Sequence, residues 1–147
     1  MARLHRLGLR GKGTIVAFEG ETVQIKLPVD ARFAKTLRLA VSSLATLGDF
    51  TLEEIEDLKI AVEEAFLMSV DRADAPEELQ FDFTLFDDRL QMRVGTLPAG
   101  SAQAEGESER QREYGLMILR AVVSEATFVE TPGGSELVMQ KRKEREA

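Results

Sequence analysis

The 147 residues contain no cysteine and no tryptophan, and only one histidine, one tyrosine and four prolines. Without cysteine there is no disulfide, no thiolate metal site and no cysteine nucleophile, and nothing points to an oxidising compartment. The lone histidine, His5, cannot build a transition-metal centre by itself, so no metal site is expected. No apolar run approaches the roughly 18–20 residues that cross a bilayer, and Met1–Arg6 has no hydrophobic signal core. A cytoplasmic protein without membrane contact is the expectation.

Acidic residues outnumber basic ones, 26 to 19, giving a formal charge of −7, and 44% of the chain is hydrophobic. That length and composition fit one domain with a core of its own. The charge is unevenly spread. Arg3, Arg6, Arg10 and Lys12 stand in a stretch with no acid, and Lys141–Glu146 holds four bases and two acids. Residues 13–140 therefore carry 11 bases against 24 acids. A body of that sign repels phosphate backbones, so direct nucleic-acid binding is not expected. The basic arm either pairs with an acidic partner or simply keeps an exposed segment soluble.

Val23–Leu27 alternates apolar and polar residues as a half-buried strand does, and Thr14–Phe18 is a second apolar stretch. With Glu19-Gly20-Glu21 between them, the two suggest an N-terminal hairpin. Asp30 is placed to cap a helix with apolar positions Phe33, Ala34, Leu37, Val41, Leu44 and Ala45, closed by Gly48. Thr51-Leu52-Glu53-Glu54 is a capping box, opening an amphipathic helix to Val70 with Leu52, Ile55, Leu58, Val62, Ala65, Phe66 and Ser69 on one face. Leu79–Leu85 and Leu90–Val94 alternate strictly around Asp87-Asp88 and read as an antiparallel hairpin. Residues 95–111 are polar and glycine-bearing and read as a long loop. A third helix over Arg112–Val123 and a last hairpin, Ala126–Glu130 with Glu136–Gln140, complete the chain. The Phe81, Phe83, Met92, Met117 and Leu119 set reads as core.

The order predicts an α+β two-layer sandwich, a mixed or antiparallel sheet covered by three helices. Residues 1–22 form an arm that could add a strand, 23–143 the domain, and 144–147 a tail.

The segment Glu54-Ile55-Glu56-Asp57-Leu58-Lys59-Ile60-Ala61-Val62-Glu63-Glu64-Ala65 resembles one helix of a known family. Phe33-Ala34-Lys35, Gly115-Leu116 and Gly134–Lys141 support the same likeness. The family is the anti-sigma factors and serine-protein kinases with a histidine-kinase-like ATPase fold. The resemblance covers about Val23 to Lys143. It implies that Glu64 matches the general base of active members, a carboxylate able to take a proton from an attacking serine. On composition alone Glu64 reads as one more solvated carboxylate on an acidic helix, and only the resemblance sets the two readings level.

The same resemblance implies an ATP site with altered parts. Where the family offers an asparagine oxygen to magnesium, Met68 offers a thioether, a soft and weak acceptor. Thr96 stands for the adenine-reading aspartate and Pro98 for the glycine two residues on. Of the Gly-x-Gly that wraps phosphate, Glu113-Tyr114-Gly115 retains only Gly115, and Glu113 sets a carboxylate where phosphate would lie. Tyr114 is either an exposed contact or a lid. No cofactor is expected unless the degenerate site still takes ATP and magnesium.

The implied function is an anti-sigma factor that sequesters an alternative sigma factor without ATP-dependent kinase activity. A STAS-type anti-anti-sigma protein would release it. Arg32, Phe33, Lys35 and Arg38 on the first helix would hold the partners, and a homodimer is implied. The alternatives are an active serine-protein kinase using Glu64 and a noncatalytic scaffold.

Overall fold

The computed structural model describes residues 17–70, 72, 74–97 and 105–144. Strand β1, Glu19–Pro28, comes first. Glu19-Gly20-Glu21 is not the turn of a hairpin: it lies within β1, where the pairing with the next strand slips between Glu19 and Glu21. Gly20, at φ 110°, supplies the left-handed backbone of that irregularity. Thr14–Val16, the rest of the expected first strand, lie outside the described residues.

A short 3-10 turn, Ala31–Phe33, leads into α1, Ala34–Leu47. Asp30 caps the turn, its carboxylate accepting from the Arg32 amide at 2.9 Å. Gly48 closes α1, and Asp49 then adopts φ 64° to reverse the chain. Helix α2, Leu52–Val70, begins at the expected capping box. The Thr51 amide donates to Glu54 Oε1 at 2.8 Å, and the Glu54 amide donates back to Thr51 Oγ1 at 3.1 Å.

Strands β2, Glu78–Phe86, and β3, Arg89–Leu97, form the expected hairpin. Helix α3 runs Glu105–Val122, two turns longer at its start than the sequence suggests, so the stretch read as loop supplies both the end of β3 and the beginning of α3. β4, Glu125–Thr131, and β5, Gly134–Arg142, finish the chain. The sheet order is β1-β2-β3-β5-β4, and all neighbours are antiparallel.

One sheet face carries Leu79, Phe81, Phe83, Leu85, Leu90, Met92, Val94, Leu137 and Met139, all buried under the helices. The helices answer with Leu37 and Val41 from α1, Leu58, Val62 and Phe66 from α2, and Leu119 from α3, each fully buried. Burying one such side chain contributes about 1.5–3 kcal/mol relative to leaving it in water. α2 packs against both α1 and α3 and is the centre of the helical layer. Two residues expected inside are not: Leu52 is 82% exposed and Met117 is 61% exposed. Leu52 is the first residue of its helix, and Met117 falls on the outer side of α3.

Lys141 locks the layers at one end. Its ammonium donates to Asp57 of α2 at 3.0 Å and to the Val122 carbonyl that ends α3 at 2.8 Å. Glu54 reaches the same corner, accepting from the Glu144 amide at 2.6 Å. At the other end of α2, where it meets α3, the sheet leaves a cleft.

Candidate functional site

Glu64 and Met68 lie one helical turn apart on α2, and Arg72 follows four residues later, just past the helix end. Glu64 is half-buried. Desolvation pushes its carboxyl above the usual carboxylate range, and the neighbouring Glu63 charge adds to the rise. Glu63 itself accepts a 2.7 Å bond from Arg38, which ties α1 to α2.

Met68 packs directly onto α3 at Gly115. A Cβ built on Gly115 would stand 2.8 Å from Met68 Sδ and 2.9 Å from its methyl carbon. Glycine at 115 lets the thioether sit in this position, and a side chain there would require the thioether to move. Beyond it, Met68, Ser69, Arg72, Leu97, Gln111, Arg112 and Phe128 enclose a cavity of about 20 Å³, room for about one water molecule. Ser69 Oγ faces this region buried and, among the described residues, without a hydrogen-bond partner.

Two arginines border the cavity. Arg72 forms a two-pronged pair with Asp74, at 2.9 and 3.0 Å, and that bond holds the Asp74 carboxyl below its ordinary range. Arg112 donates to Ser135 Oγ at 2.8 Å, and its guanidinium lies 4.2 Å from the Phe128 ring centre. Burial, and then the Arg72 charge, lower the pKa of Arg112. Sequence reasoning missed both arginines. The four-residue stripe through Glu64 and Met68 could have revealed Arg72, whereas Arg112 gave no signal at the edge of an apparent loop.

The other expected residues fall in different places. Gly115 does not open a helix; it is the eleventh residue of α3, so the amides at 113–115 are spent within the helix and cannot wrap a phosphate. Glu113 is exposed on the outer side of α3 with Leu116, Met117, Arg120 and Ala121, and does not enter the cleft. The early start of α3 is the reason: 112, 115 and 119 turn inward and 113, 117 and 120 outward. Thr96 belongs to β3, with its side chain outside the described residues, as is Pro98. Tyr114 is 61% exposed.

These residues do not fit a magnesium-bound triphosphate. The thioether is no ligand for a hard cation, and the helix presents no open amides at 113–115.

The first-helix residues are not one open cluster. Arg32 bonds Asp30 through Nη2 at 2.7 Å and Nε at 3.1 Å, and this pairing, with the Arg32 amide, holds the Asp30 carboxyl down at about 2. Arg38 is engaged by Glu63, and Phe33 packs on the core. Lys35 is exposed and forms no ion pair among the described residues.

Comparisons with known proteins agree with this architecture. A family model described as the histidine kinase-like ATPase domain matches residues 27–141. Serine-protein kinase RsbW of Halalkalibacterium halodurans is 37% identical over 75 residues, 50% of this chain and 46% of that protein. RsbW of Bacillus subtilis is 37% identical over 75 residues, 49% of this chain and 47% of that one. The matched stretch spans about half the length of these relatives. The crystal structure of the RsbU and RsbW domains of Rv1364c from Mycobacterium tuberculosis covers 86% of this chain and 34% of its own, at 22% identity and a TM-score of 0.65. That likeness shows the fold.

Proposed function

Because the chain belongs to the histidine kinase-like ATPase domain family, whose model matches residues 27–141, we propose that it is an anti-sigma factor working through affinity alone. It would hold an alternative sigma factor away from core RNA polymerase. A STAS-type anti-anti-sigma protein would displace that partner by taking the same surface. The likeness to proteins named serine-protein kinase RsbW supports the family role.

The observation that carries the noncatalytic reading is the seating of Met68 on Gly115. It fills the junction of α2 and α3 with a thioether where the family offers an amide oxygen. On this reading Glu64 is a vestige of a base. Control comes from the relative affinities of the two partners, or from modification of a partner by another kinase.

Partner contact is assigned to α1, centred on Lys35. It is the member of the basic set left exposed without an internal ion pair, and a lysine ammonium accepts a partner carboxylate from many directions. Phe33 supplies the apolar edge beside it. A homodimer and a cytoplasmic location complete the proposal. Among the described residues no helix is long and apolar enough to cross a membrane.

A second reading, an active serine-protein kinase, is favoured by one feature, the raised carboxyl of Glu64, which suits a general base. The experiment that tests the proposed function mixes the purified chain with the sigma factor encoded nearest its gene. Sequestration should occur without nucleotide and be lost in Lys35→Glu. Sequestration that requires ATP would favour the kinase, and no sequestration at all would leave a scaffold.

A further inference from the structure

The turn between α1 and α2 exposes apolar surface that nothing described covers. Leu47 is 59% exposed and Leu52 82% exposed, on either side of the buried Phe50. Ile60, 47% exposed, continues the stripe Leu52, Glu56, Ile60 at four-residue spacing along α2. The turn is rigid: the Asp49 amide donates to the Thr46 carbonyl at 3.1 Å and the Phe50 amide to the Ala45 carbonyl at 3.0 Å. Its border carries the exposed Asp49, Glu53 and Glu56, with Lys59 paired to Glu56 and the Lys143 ammonium beside the Phe50 ring.

Residues 1–16 carry the opposite character. They hold Arg3, Arg6, Arg10 and Lys12 with no acid, and Leu4, Leu7 and Leu9 lie between the bases. Their point of departure is at this end of the molecule. The Phe18 amide donates to Asp87 Oδ1 at 2.7 Å, and the Lys143 amide donates to the Asp88 carbonyl at 2.9 Å. The Lys143 ammonium in turn lies 5.5 Å from the Phe50 ring centre. The tether between residue 12 and Phe18 spans up to about 20 Å when extended.

We propose that the chain's own N-terminal arm, residues 3–12, docks across the α1–α2 turn, its leucines on Leu47 and Leu52 and its arginines against Asp49, Glu53 and Glu56. Leucine contact gives the apolar burial and the charges set the orientation. The arm is tethered, so docking is intramolecular and needs no second molecule.

The test compares backbone amide shifts of the full chain with those of a variant carrying Arg3→Glu, Arg6→Glu and Arg10→Glu. Docking predicts that the substitutions move the signals of Leu47–Phe50 and Leu52–Ile60, and that about 0.5 M salt moves the wild-type signals the same way. The effect should not change between about 20 and 500 µM protein, because an intramolecular contact is independent of concentration. Leu52→Ser, a change on the surface, should reduce the arm-dependent shifts by more than half. Absence of shifts at 47–60 would overturn the proposal in favour of a solvated arm. Shifts that grow with concentration would overturn it in favour of an arm exchanged between copies.

Discussion

Met68 and Gly115 occupy each other's space: the sulfur sits 2.8 Å from the point where any Cβ on residue 115 would be. α2 and α3 meet through this pair, and the cleft behind it keeps about 20 Å³. Interiors are close-packed, so a contact of this kind responds to change on either side.

Enlarging residue 115 should therefore destabilise the fold. Gly115→Val should cost about 2 kcal/mol, the range for forcing a core to accept extra methyl groups. Gly115→Ala should be close to neutral, since the better helix propensity of alanine, about 1 kcal/mol, offsets the movement of a flexible thioether. Combining Gly115→Val with Met68→Ala should cost less than the two changes summed, because each relieves the other. Urea unfolding of the four proteins reads this coupling; strict additivity would show that the pair does not touch.

Glu64 predicts a pH-dependent gain on neutralisation. Its folded-state carboxyl titrates above the ordinary range because burial, and then Glu63, disfavour the charge. A raised acid pKa means the folded state binds the proton more tightly, so stability falls as pH rises from the unfolded value through the folded one. Glu64→Gln should raise the thermal midpoint at pH 7 and leave it nearly unchanged near pH 3, well below the carboxyl pKa of both states. An equal midpoint at pH 7 would contradict the burial.

Glu54 predicts the opposite sign. Burial pushes its carboxyl up, but bonds from the Glu144 and Thr51 amides, the Thr51 hydroxyl and the Lys141 charge together hold it below the ordinary range. Its contribution is therefore complete above the unfolded carboxylate pKa, about 4.3, and is lost as pH falls from there through the lower folded value. Glu54→Gln should cost about 1–2 kcal/mol at pH 7, the usual loss for a capping contact with a charged acceptor, and progressively less in acid. Chemical unfolding at pH 7 and pH 3 checks it.

Lys35 and Arg38 should separate in their effects. Lys35→Ala should leave stability within about 0.5 kcal/mol of wild type, as for a surface change away from special features, while weakening partner binding at least tenfold. Arg38→Ala removes a half-exposed pair to Glu63, worth about 0.2–1 kcal/mol. It should weaken binding less than Lys35→Ala does. Titration of each variant against the sigma factor by fluorescence anisotropy distinguishes them; equal losses would place Arg38 in the contact as well.

Much of this fold is legible in the sequence because its elements announce themselves locally. The capping box places the start of α2 at Leu52, and the strict alternation of Leu79–Leu85 and Leu90–Val94 places the central hairpin. The first two turns of α3 were illegible because Gly106 and Ser108 carry a loop composition and glycine is a poor helix former. From sequence, Gly115 therefore looks like a helix opening rather than a helix interior, and Glu113, which faces outward, looks like part of the cleft. Met68 was legible by its spacing from Glu64, but its seat on Gly115 joins residues 47 apart in sequence and exists only in the packed layers. Arg112 was hidden for the same reason, since Phe128 and Ser135, its partners, come from the last two strands.

The central claim, a site closed to nucleotide by Met68, is tested most directly by calorimetric titration of the full chain with ATP at millimolar magnesium. The account predicts no saturable heat at ATP up to about 1 mM, a dissociation free energy weaker than about 4 kcal/mol. Saturable binding with a micromolar dissociation constant would contradict it.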